Sequence, residues 1–279
     1  MTQTIMLIHG AWLNSRSWEK WKARYQSRGH TVIAPDWPGD EGEPSDLRAK
    51  PRKALTRSGP KEIVAHYDAL IRALPEKPIL IGHSAGGVWV QHLLDRGLGE
   101  AGVSIDPAPT PGIGLKPQAA ISALPVLGDP LSGRKMKSMS RAFFRSRFAN
   151  GLPEAMKDRM YDRYIVPTAG KVYWDGVLSG GAGKITWDSK IRPPLLLIAG
   201  GKDLIADASM TRAMFEKQKR AASETDFKLY PDRSHFLCIE PGWEEIADFA
   251  RDWAVRHAAV TTTPTLTPSS AQPERVQPS

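Results

Sequence analysis

Six short apolar runs recur along the chain, separated by polar loops and by stretches with helical periodicity. Continuous apolar runs of this length are typical of strands buried on both faces of a parallel sheet. The predicted strands are residues 4–8, 30–34, 78–81, 101–106, 194–199 and 227–230. The predicted helices are residues 18–27, with Ser17 as the N-cap, and 60–74, 88–94 and 241–258. Because strands alternate with helices, the pattern predicts an α/β fold with a mostly parallel sheet of about six strands and helices on both faces.

The alternation is interrupted between the fourth and fifth predicted strands and again at the C-terminus. Residues 111–190 are rich in Met, Phe and Arg and are broken by Pro and Gly, which predicts a helical cap inserted into the core. The core is then formed by residues 1–110 and 191–259. Pro, Thr and Ser dominate residues 260–279, a composition typical of a disordered tail.

Composition restricts the class of protein. The 279 residues are 41% apolar and 24% charged, as in ordinary globular proteins. The first predicted strand begins at Thr4, which leaves no room for a secretory signal, and no apolar run approaches the ~20 residues of a membrane span. Cys238 is the only cysteine, so an internal disulfide is excluded, and no residue spacing suggests a metal site. We therefore expect a cytoplasmic protein that needs no metal or other cofactor.

The formal net charge of +8 is concentrated in the predicted cap. Between Lys116 and Arg163 there are ten Lys and Arg residues and four Asp and Glu residues, a net charge of +6, which leaves +2 for the rest of the chain. We favour a solvated basic surface as the interpretation, with attraction of anionic substrates as the alternative. The segment has no nucleic-acid-binding motif. We expect a small-molecule substrate as the partner, expect neither nucleic acid nor a membrane, and leave a homodimer open.

The third predicted strand ends in Gly82-His83-Ser84-Ala85-Gly86, and a predicted helix follows. Glycines on both sides of a serine at a strand-to-helix turn indicate a strained backbone where a Cβ would clash. Such a turn holds the serine hydroxyl clear of the sheet, beside the Ala85 N–H at a helix N-terminus. The pattern G-x-S-x-G is weak alone, but the strand before it and the helix after it are the context that a nucleophilic serine requires.

A nucleophilic serine needs a base, and the chain contains seven histidines. His235 lies in the loop between the last predicted strand and the last helix, at the sheet edge where Ser84 is expected, so we assign it as the base. His83 adjoins Ser84 in sequence but should point away from the hydroxyl, and His9 is expected to shape its loop. The other four are expected in helices or at strand starts, away from this edge: His30, His66, His92 and His257.

The acid that orients the base is expected at a strand end between the serine and the histidine. Asp203 follows the 194–199 strand through a Gly-Gly-Lys turn, and we prefer it because this turn and the chain order Ser, Asp, His suit it. Asp106, at the end of the preceding strand, is the competitor, and Glu240 is a weaker one. A helix-cap role fits Asp207 better than Asp203.

The oxyanion of an acyl-transfer reaction needs two preoriented donors. The Ala85 N–H is the first, and the Ala11 N–H, which follows His9-Gly10, is our choice for the second, with Trp12 as the alternative. Side chains next to the catalytic loops or late in the cap could line the substrate pocket. We predict six of them: Trp12, Trp174, Trp187, Leu204, Ile205 and Phe236.

Taken together, these motifs resemble the α/β-hydrolase superfamily over residues 3–258. The motifs are His9-Gly10 with Trp18 downstream, Ala34-Pro35-Asp36-Trp37-Pro38-Gly39, Gly82-His83-Ser84-Ala85-Gly86, Gly200-Gly201-Lys202-Asp203 and Ser234-His235-Phe236. The resemblance implies an α/β-hydrolase fold with Ser84, Asp203 and His235 as a catalytic triad, and with Ala11 and Ala85 as oxyanion donors. Because His9-Gly10 follows the first strand, the sheet is expected to lack the family's two opening strands. That shortened form is similar to the methylesterase and hydroxynitrile lyase branch and to small bacterial carboxylesterases.

The resemblance also narrows the chemistry. Dehalogenases and epoxide hydrolases of the superfamily have an aspartate in place of Ser84, and its hydroxynitrile lyases have a lysine where this chain has Phe236. The expected function is therefore hydrolysis of a carboxylic ester of a small, apolar or aromatic substrate through an acyl-serine intermediate. Amide, lactone or carbon–carbon bond hydrolysis and cofactor-free haloperoxidation use the same groups and stay open. A ligand-sensing receptor with slow turnover is the alternative of another class.

Overall fold

The computed structural model describes residues 2–178 and 184–261. Residues 179–183 of the predicted cap and most of the predicted tail therefore lie outside the described residues. The strands are β1 (Thr4–Ile8), β2 (Thr31–Ile33), β3 (Ile79–His83), β4 (Ala101–Ile105), β5 (Met136–Lys137), β6 (Thr168–Ala169), β7 (Leu195–Gly200) and β8 (Thr225–Tyr230). Six of them form a fully parallel sheet in the order β2-β1-β3-β4-β7-β8. The predicted six-stranded α/β architecture is confirmed.

Ten α-helices accompany these strands in the described residues. They are α1 (Glu19–Gln26), α2 (Pro44–Ala49), α3 (Pro60–Arg72), α4 (Ala85–Asp95), α5 (Pro117–Leu127), α6 (Arg141–Phe143), α7 (Glu154–Tyr164), α8 (Gly170–Leu178), α9 (Ala208–Gln218) and α10 (Trp243–Thr261). Every residue of β3, β4 and β7 is buried, as their continuous apolar sequences predict. Helix α4 packs on β3 and β4 next to α3, and α10 packs on β3, β4 and β7 next to α1. The sheet core therefore lies between helices.

Parallel pairing brings the C-terminal ends of all six strands of the large sheet to one edge. The segment between β4 and β7, which contains α5 to α8, joins the sheet at this edge. Its two short strands, β5 and β6, pair antiparallel with each other and are not part of the large sheet. The loops that carry the predicted chemistry consequently lie beside the segment predicted to form the cap.

Three local expectations differ from the structure. The first α-helix begins at Glu19 after a 3-10 turn over Ser15–Trp18, and its N-cap is Trp18, not Ser17. Asn14 caps the 3-10 turn by accepting a hydrogen bond from the Arg16 N–H at 3.2 Å. The helix predicted from residue 88 begins at Ala85. The apolar periodicity misses its first turn because that turn contains Gly86 and Gly87. Residues 40–59 form a polar stretch with Pro and Gly for which the sequence pattern predicts an irregular loop, but they contain α2 and a 3-10 turn over Lys53–Arg57.

Over residues 2–178 and 184–261, no helix combines the length and the apolar character that a membrane crossing requires.

Candidate active site

Ser84 lies on the turn between β3 and α4 with φ 55° and ψ −121°, a conformation that residues other than glycine seldom adopt. The strand and the helix approach so closely that a Cβ on Gly82 would lie 2.2 Å from the Gly86 carbonyl oxygen. A Cβ on Gly86 would likewise lie 2.2 Å from the carbonyl oxygen of Ile8 in β1. The Ser84 N–H donates to the Ile105 carbonyl oxygen of β4 at 2.9 Å. Close packing on both sides therefore maintains the strained turn that presents the hydroxyl.

His235 and Asp203 form a fully buried pair in which the imidazole Nδ1 lies 2.6 Å from the Asp203 Oδ2. The other carboxylate oxygen, Oδ1, accepts hydrogen bonds from the N–H groups of Ile205 at 2.6 Å and Ala206 at 2.8 Å, which fixes its orientation. Because Asp203 accepts the Nδ1 proton, the Nε2 atom of the neutral ring is the acceptor. This Nε2 is buried and makes no hydrogen bond to another described residue. The imidazole can therefore receive a proton on that side.

Two other histidines hold the loops around the pair. The Nε2 of His83 is 2.8 Å from the His235 carbonyl oxygen, and the two rings are 4.7 Å apart. Burial and the neighbouring His235 lower the pKa of His83 well below 6.5, so the ring is neutral and donates this hydrogen bond. The Nε2 of His9 accepts a hydrogen bond from the Trp37 N–H at 3.1 Å, and burial lowers its pKa to about 4. His9 thus shapes its loop as expected, whereas the contact between His83 and His235 had no signal in the sequence.

The two competing acids occupy different places. Glu240 accepts hydrogen bonds from the N–H of Ser234 at 3.1 Å and from its hydroxyl at 2.9 Å, so it braces the loop in front of His235. Asp106 is completely buried next to Asp203, and its Oδ1 accepts the N–H of Gly200 at 2.7 Å. Asp203, the preferred residue, is the carboxylate that contacts the His235 Nδ1. Asp207 caps α9 by accepting the N–H of Ser209, as expected.

The two residues whose backbone amides are predicted to face an oxyanion, Ala11 and Ala85, line the same cavity as Ser84. The Ala85 N–H belongs to the first turn of α4, where a helix offers no carbonyl partner. Ala11 lies in the turn after β1, and the residue that follows Ala11, Trp12, has a φ of 68°. The Trp12 indole N–H donates to the Tyr173 hydroxyl of α8 at 2.6 Å, and its carbonyl accepts the Val166 N–H at 3.0 Å. Two contacts from the predicted cap therefore hold the turn that carries Ala11.

Ser84, Ala11 and Ala85 line one cavity of about 170 Å³. One face of α4 continues its wall through Val88, Trp89 and His92. Residues of α5, of α8 and of the loops after β4 and β7 form the rest of the wall. The cavity therefore joins the serine to both predicted oxyanion donors and to residues of the segment predicted as the cap.

His92 lines this cavity, so the expectation that it lies away from the active edge is wrong. Ala85, Val88, Trp89 and His92 are spaced i, i+3, i+4 and i+7, which places them on one helix face, and that spacing was visible in the sequence. The imidazole is 5% exposed and makes no hydrogen bond to another described residue. Burial, and secondarily the charge of Arg96, lower its pKa to about 4, so it is a neutral hydrogen-bonding group in a mostly apolar wall.

Of the six side chains predicted to line the pocket, the cavity wall contains Ile205. Trp12 reaches the wall indirectly through its hydrogen bond to Tyr173, and the Leu204 carbonyl accepts the Ser122 hydroxyl at 2.7 Å behind the wall.

Three aromatic side chains predicted for the pocket have other partners. The Trp174 indole donates to the Ser132 hydroxyl at 2.7 Å, and the Trp187 ring lies 5.5 Å below the Lys217 Nζ. Phe236 packs in a buried aromatic cluster with Phe148 and other rings, next to His235. Proximity in sequence to a catalytic loop therefore did not predict which way these side chains point.

The basic residues of the predicted cap are largely paired. Arg141 contacts Asp162, and Arg145 contacts Glu154 and Asp158, all at exposed positions. Arg147 donates instead to the Ser122 hydroxyl and the Leu204 carbonyl behind the cavity wall. None of the three lines the cavity, which favours the solvated basic surface over attraction of an anionic group to the serine.

A parallel sheet that presents a serine turn and a buried His–Asp pair at its carboxyl edge defines the class of the α/β-hydrolases. The chain belongs to the alpha/beta hydrolase family, whose sequence model matches residues 5–249. Comparison with curated proteins gives no match.

Solved structures with this fold include esterases and lipases. A monoacylglycerol lipase from Paleococcus ferrophilus is 25% identical, with a TM-score of 0.66 over 91% of this chain and 94% of that one. A methylesterase from Arabidopsis is 15% identical, with a TM-score of 0.63 over 91% of this chain and 100% of that one. A polyneuridine aldehyde esterase, also 15% identical, has a TM-score of 0.64 over the same shares. The resemblance to hydrolases with this fold is confirmed.

Proposed function

We propose that the protein is a carboxylesterase that cleaves small, largely apolar esters through an acyl-serine intermediate. The observation that carries the proposal is the shared cavity of Ser84, Ala11 and Ala85 together with the 2.6 Å pair of His235 and Asp203. The centroid of the His235 ring lies 4.7 Å from that of His83, the residue before Ser84. These are a nucleophile, two candidate oxyanion donors, a base and the group that orients the base. The ester-cleaving names of the structural neighbours support the same chemistry.

In the first half of the reaction, the Ser84 Oγ attacks the ester carbonyl carbon while its proton passes to the His235 Nε2. The Ala11 and Ala85 N–H groups bind the oxyanion of the tetrahedral intermediate. Asp203 stabilises the imidazolium that forms. The intermediate then expels the alcohol, which takes the proton from Nε2, and leaves an acyl group on Ser84.

In the second half, a water molecule gives its proton to the His235 Nε2 and attacks the acyl carbonyl carbon. The same two amides bind the second oxyanion. When this intermediate collapses, Ser84 recovers its proton from Nε2 and the carboxylic acid leaves. The strained Ser84 turn and the three hydrogen bonds to Asp203 keep these groups in place before substrate binds.

The cavity indicates the size of the substrate. Its volume of about 170 Å³ is below the range of roughly 300–1,000 Å³ that is usual for drug-sized ligands. Small side chains such as Ala119 and Ala123 and the apolar Val88 and Val172 suit a short, uncharged acyl group. We therefore expect esters of short acyl chains to be hydrolysed faster than long ones.

The test is hydrolysis of p-nitrophenyl esters by the wild type, by Ser84→Ala and by Ser138→Ala, which changes an exposed serine of the predicted cap as a matched control. We expect Ser84→Ala to lose activity by about 10⁶-fold or down to background, as removal of a nucleophile does in other serine hydrolases. Ser138→Ala should match the wild type, and the rate should fall with increasing acyl length.

Two results would contradict the proposal. Turnover by Ser84→Ala at the wild-type rate would remove the serine from the mechanism. A wild type that a fluorophosphonate labels at Ser84, but that turns over no ester, would favour amide, lactone or carbon–carbon substrates or a slow ligand sensor.

A further inference from the structure

A second buried carboxyl group lies behind the His235–Asp203 pair. Asp106 follows β4 with a φ of 40°, and its side chain is completely buried. Its Oδ1 accepts the Gly200 N–H at 2.7 Å, and its Oδ2 makes no hydrogen bond to another described residue. One oxygen of Asp106 and one ring nitrogen each of His83 and His235 lie within 4.8 Å of one another. The reaction described above does not use this carboxyl group.

Two adjacent buried carboxyl groups cannot both be charged without a large free-energy cost, so the pair should hold one proton. The hydrogen-bond donors show which residue keeps the charge. Asp203 accepts three hydrogen bonds, from two backbone N–H groups and from the His235 Nδ1. Asp106 accepts one, from Gly200. Donors stabilise the charged form of a carboxyl group, so the charge belongs to Asp203 and the proton to Asp106.

We propose that Asp106 is a positioning residue: a neutral carboxylic acid whose Oδ2–H donates to the Asp203 carboxylate and thereby orients the acid that contacts His235. The effect of Asp106 on catalysis rests on the proposed function, whereas its proton and its hydrogen bond to Asp203 do not. The proposed proton gives the otherwise unpartnered Oδ2 a hydrogen bond, and it explains why a completely buried carboxyl group is tolerated beside the His235–Asp203 pair.

The groups around Asp106 agree with a neutral side chain. Burial and the negative charge of Asp203 raise its pKa well above 3.8, with a further contribution from Glu240. The His83 Nε2 donates to the His235 carbonyl oxygen and the His235 Nδ1 contacts Asp203, so the groups beside Asp106 are linked in one hydrogen-bonding network. The titratable groups that adjoin Asp106 are Asp203 after β7, His83 at the end of β3, and His235, Cys238 and Glu240 after β8.

The first measurement needs no substrate. Infrared difference spectra of the wild type against Asp106→Asn near neutral pH should show the carbonyl stretch of a protonated carboxylic acid in the wild type alone. Asp40→Asn is the matched control for the assignment, because Asp40 is a second buried carboxyl group whose pKa burial raises. The proposal would be overturned if the protonated-acid band had the same intensity in the wild type and in Asp106→Asn. This test does not depend on whether the protein hydrolyses an ester.

The second measurement follows the rate of fluorophosphonate labelling of Ser84 against pH. Asparagine can accept the Gly200 N–H and donate to Asp203, so Asp106→Asn should keep the rate within about threefold and leave the acid limb of the profile unmoved. Glycine accepts a positive φ without strain but has neither group, so Asp106→Gly should be labelled about tenfold more slowly or worse.

The outcomes separate the two proposals. If Asp106 were ionised, Asp106→Asn would remove a negative charge next to His235 and move the acid limb, which would overturn the inference. Labelling of Asp106→Gly at the wild-type rate would overturn it as well. A wild type that is not labelled at all contradicts the proposed function instead, and the infrared comparison then still tests the proton on Asp106.

Discussion

Gly10 offers a sharp test of how tightly the site is packed. A Cβ on this residue would lie 2.8 Å from the Ser84 Cβ and 2.9 Å from the His83 carbonyl oxygen. Carbon atoms pack at about 3.5–4.0 Å, so Gly10→Ala must separate the two turns by about 0.7 Å or more. Neither side can yield easily, because Ser84 is buried and His83 ends a strand paired on both sides. We therefore expect the added Cβ to increase the distance between the Ala11 amide and Ser84.

The magnitude follows from this distance. A misplacement of about 1 Å can cost a catalytic site about 100-fold in rate, so we expect kcat of Gly10→Ala to fall by about 10- to 100-fold. KM should change little, because most of the cavity wall is formed by α4, α5, α8 and the loops after β4 and β7, away from Gly10. Overpacking of this kind costs about 1–3 kcal/mol of unfolding free energy, which should leave the variant folded at 25 °C.

The assay is p-nitrophenyl butyrate hydrolysis, with the active fraction counted by fluorophosphonate titration. Gly114→Ala is the matched control, because a Cβ there meets no atom within 4 Å. A Gly10→Ala enzyme with the kcat of the wild type would refute the reasoning, since it would show that the contact between the two turns does not position the nucleophile.

Three further changes test other parts of the site. Burial lowers the pKa of His92 from 6.5 to about 4, so the folded protein binds fewer protons than the unfolded chain between these values, and its stability must fall as the pH falls through them. Between pH 7.5 and pH 4.5, the free energy of unfolding of the wild type, measured in urea, should therefore fall by up to about 3 kcal/mol more than that of His92→Phe. The same pH dependence in both proteins would contradict the burial of a neutral ring. His83→Gln removes the ring that donates to the His235 carbonyl and should lower kcat by about tenfold with little change in KM, and an unchanged kcat would exclude a role in holding the loop. Trp12→Phe deletes the indole donor to Tyr173 and should lower the unfolding free energy by about 1 kcal/mol, measured by urea unfolding, whereas a loss near zero would mean that this contact does not hold the predicted cap to the turn.

The sheet and the groups at its edge could be predicted because their signals are local. Each strand is a continuous apolar run, and Ser84, Asp203 and His235 each follow a strand within a few residues. Once the strands are parallel, their C-terminal ends must meet, whatever the remaining packing is. The sequence therefore brings these three side chains to one edge without any knowledge of long-range contacts.

The cavity wall could not be predicted in the same way. It depends on how α5 and α8 pack against α4, and periodicity gives no partner for either helix. Trp174 and Trp187 lie late in the predicted cap, yet one donates to Ser132 and the other contacts Lys217. The adjacency of Asp106 and Asp203 is hidden for a related reason: both residues follow strands that end at the same edge, and the sequence alone presents them as alternatives for one position.

Backbone strain in the described chain is concentrated at this site. The non-glycine residues with positive φ in that part of the chain are Trp12, Ser84 and Asp106, after β1, β3 and β4. Each such conformation costs of order 1–3 kcal/mol and persists only where surrounding contacts over-determine it. Here all three residues are buried, and each accepts or donates a hydrogen bond to a neighbouring segment. Pairing of β1, β3 and β4 thus brings Ser84, the turn that carries Ala11 and Asp106 into position together. The sheet itself therefore organises this part of the site before any substrate binds.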